Sequence, residues 1–368
     1  MQIIPRRRFL GQAAATGLAL AAGPAFAQSL DAAWQKTVAA ANDEGKLVLI
    51  VAPNPLQRDF LLTQFKQDFP KIDLSITLIS GSNFVPSVVT ERAAGKYLWD
   101  VHLTGPNTGH LATKAGLFDP LRPEFITPEA LDEKAFGGWD QAFYDEQRKY
   151  VLSLVNDIET PTYNAKQIAP ERAKSEALKL LLDPQVKGKT VWFDPRVEGP
   201  GAPFMALIYR KLGAEALWRM MVDQDPFFVR SQNEVAEALV RGKATIGLMG
   251  NARGILKQYS EAGMQFDMRP LGNGPDAAYI GSGGSALAVF NRRPHPNAAR
   301  VFVNWIMSKR VSFGLARAQG FDARRSDVPP LDPAMVPIPG GDYVYAQRSE
   351  NNDLVRELID EAKKRRPQ

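Results

Sequence analysis

A chain of 368 residues carries 45 Lys and Arg against 40 Asp and Glu, with three His and no Cys. That length is enough for two hydrophobic cores rather than one. The absence of cysteine excludes disulfides, and beyond the first 27 residues Lys363–Arg366 is the one dense basic run, too little for a nucleic-acid-binding face.

The first 27 residues read as an export leader. Arg6, Arg7 and Arg8 are followed by an uncharged apolar stretch, and Ala25-Phe26-Ala27 is a small-x-small cleavage pattern. The order "RRRFL" fits a twin-arginine signal, with Sec export as the alternative. Cleavage after Ala27 would leave 341 of the 368 residues and, three arginines fewer, 42 basic against 40 acidic side chains. No cysteine follows the cut, so a lipoprotein anchor is excluded, and no later apolar stretch has the length of a spanning helix. The mature protein is expected in the periplasm.

An amphipathic helix, "LDAAWQKTVAAANDEG", opens the mature chain. The short β-rich run "KLVLIVA" predicts a buried strand, and Phe60, Leu61, Phe65 and Phe69 line up on a following helix. "IDLSITLI" alternates as a strand, "VPSVVTERAAGK" is helical and "DVHLTG" is another short strand. This rhythm predicts a parallel sheet with helices on its faces, whose ligands bind at the carboxyl ends of strands. The turns at those ends are 52–55, 80–84 and 104–109. "KYVLSLVNDIETPTYN" reads as one long strand leaving the region.

A second α/β unit follows at roughly 160–270, with strands at "TVWF", "PFFVRS" and "KATIGLMG", each leading into a loop and a helix. "YIGSGGSALAVF" and "PHPNAARVFVNWIMSKR" then restore a strand and a helix, and the chain is expected to finish on the first unit. Near the C-terminus Leu354, Val355, Leu358, Ile359 and Ala362 share a helical face, and the basic run after them complements the helix dipole.

Catalytic signatures are absent: no H-E-x-x-H, no Walker A, no nucleophile elbow. The three histidines, His102, His110 and His295, lack the spacing of metal ligands on one helix. No metal or cofactor is expected. "GSGGSA" fits a dinucleotide fingerprint, but extended sequence follows it where a helix is required, so it reads as a bend between strands. "SQNE" is a capping box, with Ser231 and Glu234 serving each other's backbone. Arg230 ends a strand just before that helix, where backbone donors and positive charge converge on anions. Arg196 lies in the loop "DPRVEGPGAP", facing either a ligand or Asp194 and Glu198. Asn83 and Asn251 are ligand candidates that turn or cap chemistry also explains.

In order and spacing, "GKLVLIVAPNP", "ERAAGKYLWDVHLTG", "LLDPQVKGKTVWFDPRVEGPG", "VRGKATIGL" and "RRPHPNAARVFVNWIMS" resemble the periplasmic substrate-binding proteins of ATP-binding-cassette importers, in the group that includes ferric-ion-binding proteins. The likeness covers essentially all of the mature chain. It implies an α/β, two-lobed periplasmic-binding-protein fold of type II, with crossing hinge strands and a cleft that closes on a small solute. It places residues 28–157 and 277–368 in the first lobe and 158–276 in the second. It implies a monomer that hands its solute to a permease in the inner membrane and performs no covalent chemistry.

Iron-binding members of that group usually carry two adjacent tyrosines after the strand corresponding to "TIGLM". Here Ala252 and Arg253 fall there, and arginine repels a cation. The resemblance thus implies a small organic anion, a phosphorylated metabolite or a carboxylate. Arg196, Arg230, Asn251 and Arg253 would contact it from the second lobe, and Asn54, Ser82, Asn83 and Thr104 from the first. For Arg253 an internal ion pair or a latch across the cleft is the alternative. A sensor read by a membrane kinase, a ferric-chelate carrier and an exported enzyme remain as other readings.

Overall fold

The structure is a computed structural model that describes residues 22–79, 84–338 and 340–367. The twin-arginine run lies outside the described residues, as do Ser82 and Asn83. The expected cleavage point falls within the first helix, Ala22–Glu44. Among the described residues no helix is long and apolar enough to cross a membrane.

The chain builds β1 (Lys46–Val51), β2 (Asp73–Leu78), β3 (Val101–Thr104), β4 (Phe118–Asp119) and β5 (Leu152–Ser153) on one side. It then crosses through β6 (Val155–Glu159) and forms β7 (Thr162–Asn164), β8 (Thr190–Phe193), β9 (Phe227–Val229), β10 (Ile246–Leu248) and β11 (Met268–Pro270) on the other. It returns through β12 (Tyr279–Gly281) to β13 (Ala286–Phe290) and later adds β14 (Asp322–Ala323). Three sheets result. The first has the order β2-β1-β3-β13-β4, with β5 also on β13; the second is β11-β7-β10-β8-β9; the third is β12-β6-β14. This is the two-lobed α/β architecture expected from the sequence.

Parallel pairing follows from the helical crossovers. β1 pairs in parallel with β2 and β3, and β8 does so with β9 and β10. Strand alternation divides each lobe's core in two. Leu47, Leu49, Val51, Val101 and Leu103 pack on one face of the first sheet, and Ile50, Ala286, Ala288 and Phe290 on the other. In the second sheet Trp192, Ile246 and Leu248 face one cluster and Val191 the other.

Two expectations change. The long strand over "KYVLSLVNDIETPTYN" is three strands, β5, β6 and β7, each in a different sheet. Leu154 interrupts the first join, and Pro161, which has no N–H to give a ladder, falls within the second. The C-terminal helix Ser349–Arg365 forms as expected, but Val355, Leu358, Ile359 and Ala362 pack into the second lobe's core, not the first's.

Asp100 holds the first lobe's strand ends together. Its carboxylate is fully buried and accepts from the N–H of Val48 (2.8 Å), the N–H of His295 (2.8 Å) and His295 Nδ1 (2.8 Å). Burial pushes its pKa up, and these hydrogen bonds oppose the rise. Asp100→Ala leaves two backbone donors stranded, so a loss of about 2 kcal/mol or more is expected in urea unfolding. A change within about 0.5 kcal/mol, the usual range for surface substitutions, would remove this role.

Candidate functional site

Because β8, β9 and β10 are parallel, their carboxyl ends share one edge, and each leads into a helix: Pro203–Leu212, Gln232–Val240 and Ala252–Glu261. The three loops meet at Gly250, whose φ of 66° suits glycine. A Cβ there would stand 2.9 Å from Pro200 Cβ, 3.5 Å from Gln232 Nε2 and 3.7 Å from Glu159 Oε1. Gln232 Nε2 donates to the carbonyls of Met249 (2.9 Å) and Gly250 (2.8 Å), pinning one loop to the next.

The helix starts differ in how they are satisfied. Ser231 Oγ accepts from the N–H of Glu234 (3.1 Å) and donates to its carboxylate (2.8 Å), which also accepts from the N–H of Arg230 (3.2 Å). The capping box is therefore formed. The helix Ala252–Glu261 has no such cap. Asn251 sits in the left-handed region at φ 45° and makes no side-chain cap bond. Its Oδ1 is buried without a partner, and its own N–H is spent on Glu159 Oε1. The first turn of this helix thus presents backbone donors that side-chain capping does not satisfy.

The three candidate arginines have separate fates. Arg196 is paired with Asp194 through Nε (2.9 Å) and Nη2 (2.8 Å), donates to the carbonyls of Arg366 (2.9 Å) and Pro367 (3.1 Å), and stacks on Phe228. Arg253 meets Asp322 Oδ2 through both Nη atoms at 3.2 Å. For each, the internal acidic partner left open by the sequence is present. The Arg230 guanidinium is exposed and makes no hydrogen bond among the described residues. Its charge reaches Asp194: burial pushes that carboxyl up, but the Arg196 hydrogen bonds and both arginine charges take it below the usual range.

Behind Asn251 lie two buried carboxyls of β6. Strand alternation puts Asp157 and Glu159 on one face, and they share a hydrogen bond. Burial, then the neighbouring Asp157, hold Glu159 well above the ordinary carboxylate range; burial also raises Asp157. The pair thus resists full ionisation, and Glu159 accepts from the N–H of Asn251. A pocket of about 270 Å³ opens beside them, shared by Asp157, Glu159, Asn251 and Arg253.

In the first lobe, Asn54 Oδ1 caps the helix Pro55–Asp68, accepting from the N–H of Leu56 (3.0 Å) and Gln57 (3.2 Å). Thr104 Oγ1 bonds His102 Nε2 (2.8 Å). His102 is enclosed by Phe84, Phe118 and Phe290, and burial lowers its pKa to about 4. The helix Pro106–Lys114 starts without a side-chain cap, and Asn107 Oδ1 is buried without a partner. "GSGGSA" is the expected bend, joining β12 to β13. Its Ser285 Oγ accepts from Gln57 Nε2 (3.2 Å), and Gln57 Oε1 is left without a partner. The lobes touch beside the bend, where a Cβ added at Gly320 would lie 3.6 Å from Gly254 Cα.

Asn251 and Arg253 therefore share a pocket, Asp194 pairs with Arg196 and feels the charge of Arg230, and Asn54 and Thr104 belong to the other lobe's strand ends. Sequence reading missed Gln57 and Gln232, and the cap that Asn107 could have made does not form. For Gln57 there was a signal, because it stands at i−4 and i−8 from Leu61 and Phe65, a polar residue in an apolar stripe. Asp157 and Glu159 had a similar one, two acids two apart in a strand lined with apolar residues.

The sequence profile of bacterial extracellular solute-binding proteins matches residues 51–312. Among solved structures, iron-bound HitA from Pseudomonas aeruginosa is similar with a TM-score of 0.67 at 16% identity, over 86% of this chain and 99% of that one. The periplasmic binding protein AfuA from Actinobacillus pleuropneumoniae, with fructose-6-phosphate bound, gives 0.61 at 16% identity, over 87% and 99%. Apo ferric ion-binding protein A from Pasteurella haemolytica gives 0.66 at 14% identity, over 87% and 98%. At these identities the likeness is one of fold. No protein with a curated description matches the sequence.

The carboxyl pair sets a pH dependence. The folded pKa of Glu159 lies above its ordinary value of 4.5, so its contribution to stability is full below that value and is lost as pH rises toward the folded one. Glu159→Gln keeps the acceptor for Asn251 and removes the ionisation. In urea unfolding between roughly pH 5 and 9, the variant should lose less stability with rising pH than the parent. Equal slopes would mean that Glu159 is ionised in the folded protein.

Proposed function

Because the chain belongs to the bacterial extracellular solute-binding proteins, we propose that it is a periplasmic receptor for a small organic anion, a phosphorylated metabolite first among them. It closes on this solute about β6, β12 and β14 and delivers it to an ATP-binding-cassette permease. The observation that carries this reading is the helix start at Ala252. Helix N-termini carry unsatisfied N–H groups and a partial positive charge. This one stands at the carboxyl end of a parallel strand, and its first-turn N–H groups receive no side-chain cap. An anionic oxygen would supply the missing acceptor, as phosphates do at such sites.

Charge refines the site. Arg196 and Arg253 are already matched by Asp194 and Asp322, so the cation free to meet an anion is Arg230. Its guanidinium suits a terminal phosphate or carboxylate. Asn251 and the capped turn at Ser231 line the same edge, and Asn54 and Thr104 belong to the opposing one. Arg253 acts as the latch that ties this helix to β14. The lobes on this reading are 28–157 with the segment from 277 up to the last helix, and 158–276 with that helix packed on it. A trap of this kind works by domain closure and needs no bond-making group.

Free ferric ion is not the expected cargo. Ala252 offers no ligand atom, and Arg253 and Arg230 bring positive charge to the edge. AfuA, similar in fold and solved with fructose-6-phosphate bound, supports an organic phosphate as the first class to test.

In a thermal-shift screen of the purified chain, a hexose phosphate or a related small anion should raise the melting temperature and ferric ion should not. Arg230→Ala should weaken the best ligand by roughly 1.5–3 kcal/mol in calorimetry, the scale of a hydrogen bond to a charged group. Arg253→Ala should instead lower stability by roughly 1–3 kcal/mol, below the range for a fully buried pair because Arg253 keeps 24% exposure. A protein that purifies coloured with iron, or an Arg230→Ala variant of unchanged affinity for every anion that binds, would refute the anion reading.

A further inference from the structure

We propose that the cavity behind the hinge sheet is a second binding site, one that takes a small organic carboxylate with an apolar body between the guanidiniums of Arg324 and Arg348. It is separate from the strand-end site. Along β6, Asp157 and Glu159 face the second lobe's loops, whereas Asn156 projects to the opposite face. There, with Ile280 of β12 and the segment from Arg324 to Arg348, it lines a cavity of about 760 Å³. That volume falls within the range of small-molecule sites.

Two buried cations without acidic partners distinguish this cavity. Arg324 is 6% exposed and Arg348 7%. Arg324 donates to the carbonyl of Phe136 (3.2 Å) and to Asn156 Oδ1 (3.1 Å), both neutral. Arg348 Nη2 donates to the backbone carbonyl (2.7 Å) and to Oε1 (2.9 Å) of Gln141, again neutral, and its Nε is buried with no acceptor. Its guanidinium lies over the Tyr345 ring, 3.5 Å from the centroid. Burial, together with the charges of Arg148 and Arg324, depresses its pKa.

The acids nearby are committed elsewhere. Asp322 holds Arg253 and the N–H of Leu331, Asp327 holds Arg325 and Lys309, and Asp342 holds Lys211. Glu350 holds Arg148 and feels the charge of Arg348 without bonding it, so among the described residues neither buried guanidinium has a carboxylate on it, which is costly unless something supplies one. A ligand carboxylate does so with the planar geometry that guanidinium prefers. Phe136, Tyr345 and Ile280 supply aromatic and apolar wall for the rest of the ligand.

The test uses 4-bromobenzoate and the full chain. Saturable binding is expected in calorimetry, weakened at least tenfold by Arg348→Gln and by Arg324→Gln and unchanged by Arg230→Ala. Crystals soaked in the compound should show a bromine anomalous peak in the cavity, with the carboxylate between the two arginines. That measurement decides the matter should either variant fail to fold. Absence of binding, a peak elsewhere, or loss of binding in Arg230→Ala alone would overturn the proposal. Because Arg230 belongs to the other site, failure here leaves the receptor reading standing, and failure there leaves this one standing.

Discussion

Five residues of β6 carry the main constraint on this molecule. Val155–Glu159 is the first passage of the chain between the lobes, and it is laddered on both sides, by β12 and by β14. A strand laddered on both sides cannot shift register by one residue without exchanging its two faces. Its alternation therefore fixes what each side of the hinge offers. One face gives Asp157 and Glu159 to the second lobe's loops; the other gives Asn156 to Arg324 and Ile158 to a small apolar cluster with Ile280 and Met335. Two carboxyls so close in a dry setting cannot both ionise. Sharing a proton lets them sit behind Asn251 without presenting a full double negative charge to an incoming anion.

Charge pairing then sorts the arginines. Arg196 and Arg366 lie over the same Phe228 ring, each 4.8 Å from its centroid, and Arg196 also holds two carbonyls of the C-terminal tail. Arg196 thereby fastens the end of the last helix to the second lobe, while its first turns bond His110, Lys114 and Tyr144 on the other side. Arg253 fastens the helix Ala252–Glu261 to β14. Such pairs add little net stability when buried, but breaking one leaves a lone charge, so they specify position. Arg230 and, on the far face, Arg324 and Arg348 stand outside this pairing, and both binding proposals rest on that distinction.

Much of the architecture was legible because it follows from periodicity and turn chemistry. β1, β2, β3, β8 and β10, the helices between them, the Ser231 box and the bend after β12 each rest on local signals that the structure repeats. The break of one long apolar run into β5, β6 and β7 was not legible, since all three are buried and the decision to change sheet is tertiary. The same holds for the arginines. Arg196 and Arg253 each had an acidic residue within reach in three dimensions, but only Asp194 was near in sequence; Asp322 is 69 positions from Arg253. Pattern reading can place a charge at a strand end and cannot say whether its partner is already in the protein.

The uncapped helix starts therefore say more about function than the arginines that first drew attention. Ser231, Asn54, Thr127 and Asp183 accept from first-turn N–H groups, whereas other starts, Pro203, Pro296 and Lys309 among them, have no side-chain cap. The starts at Pro106 and Ala252 also lack side-chain caps, but an asparagine with an unpartnered oxygen stands at each. Orphan donors stabilise whatever brings them an acceptor. The two starts sit on different lobes, so on the receptor reading a solute that satisfies both binds the closed arrangement better than the open one. That difference in affinity is what drives closure.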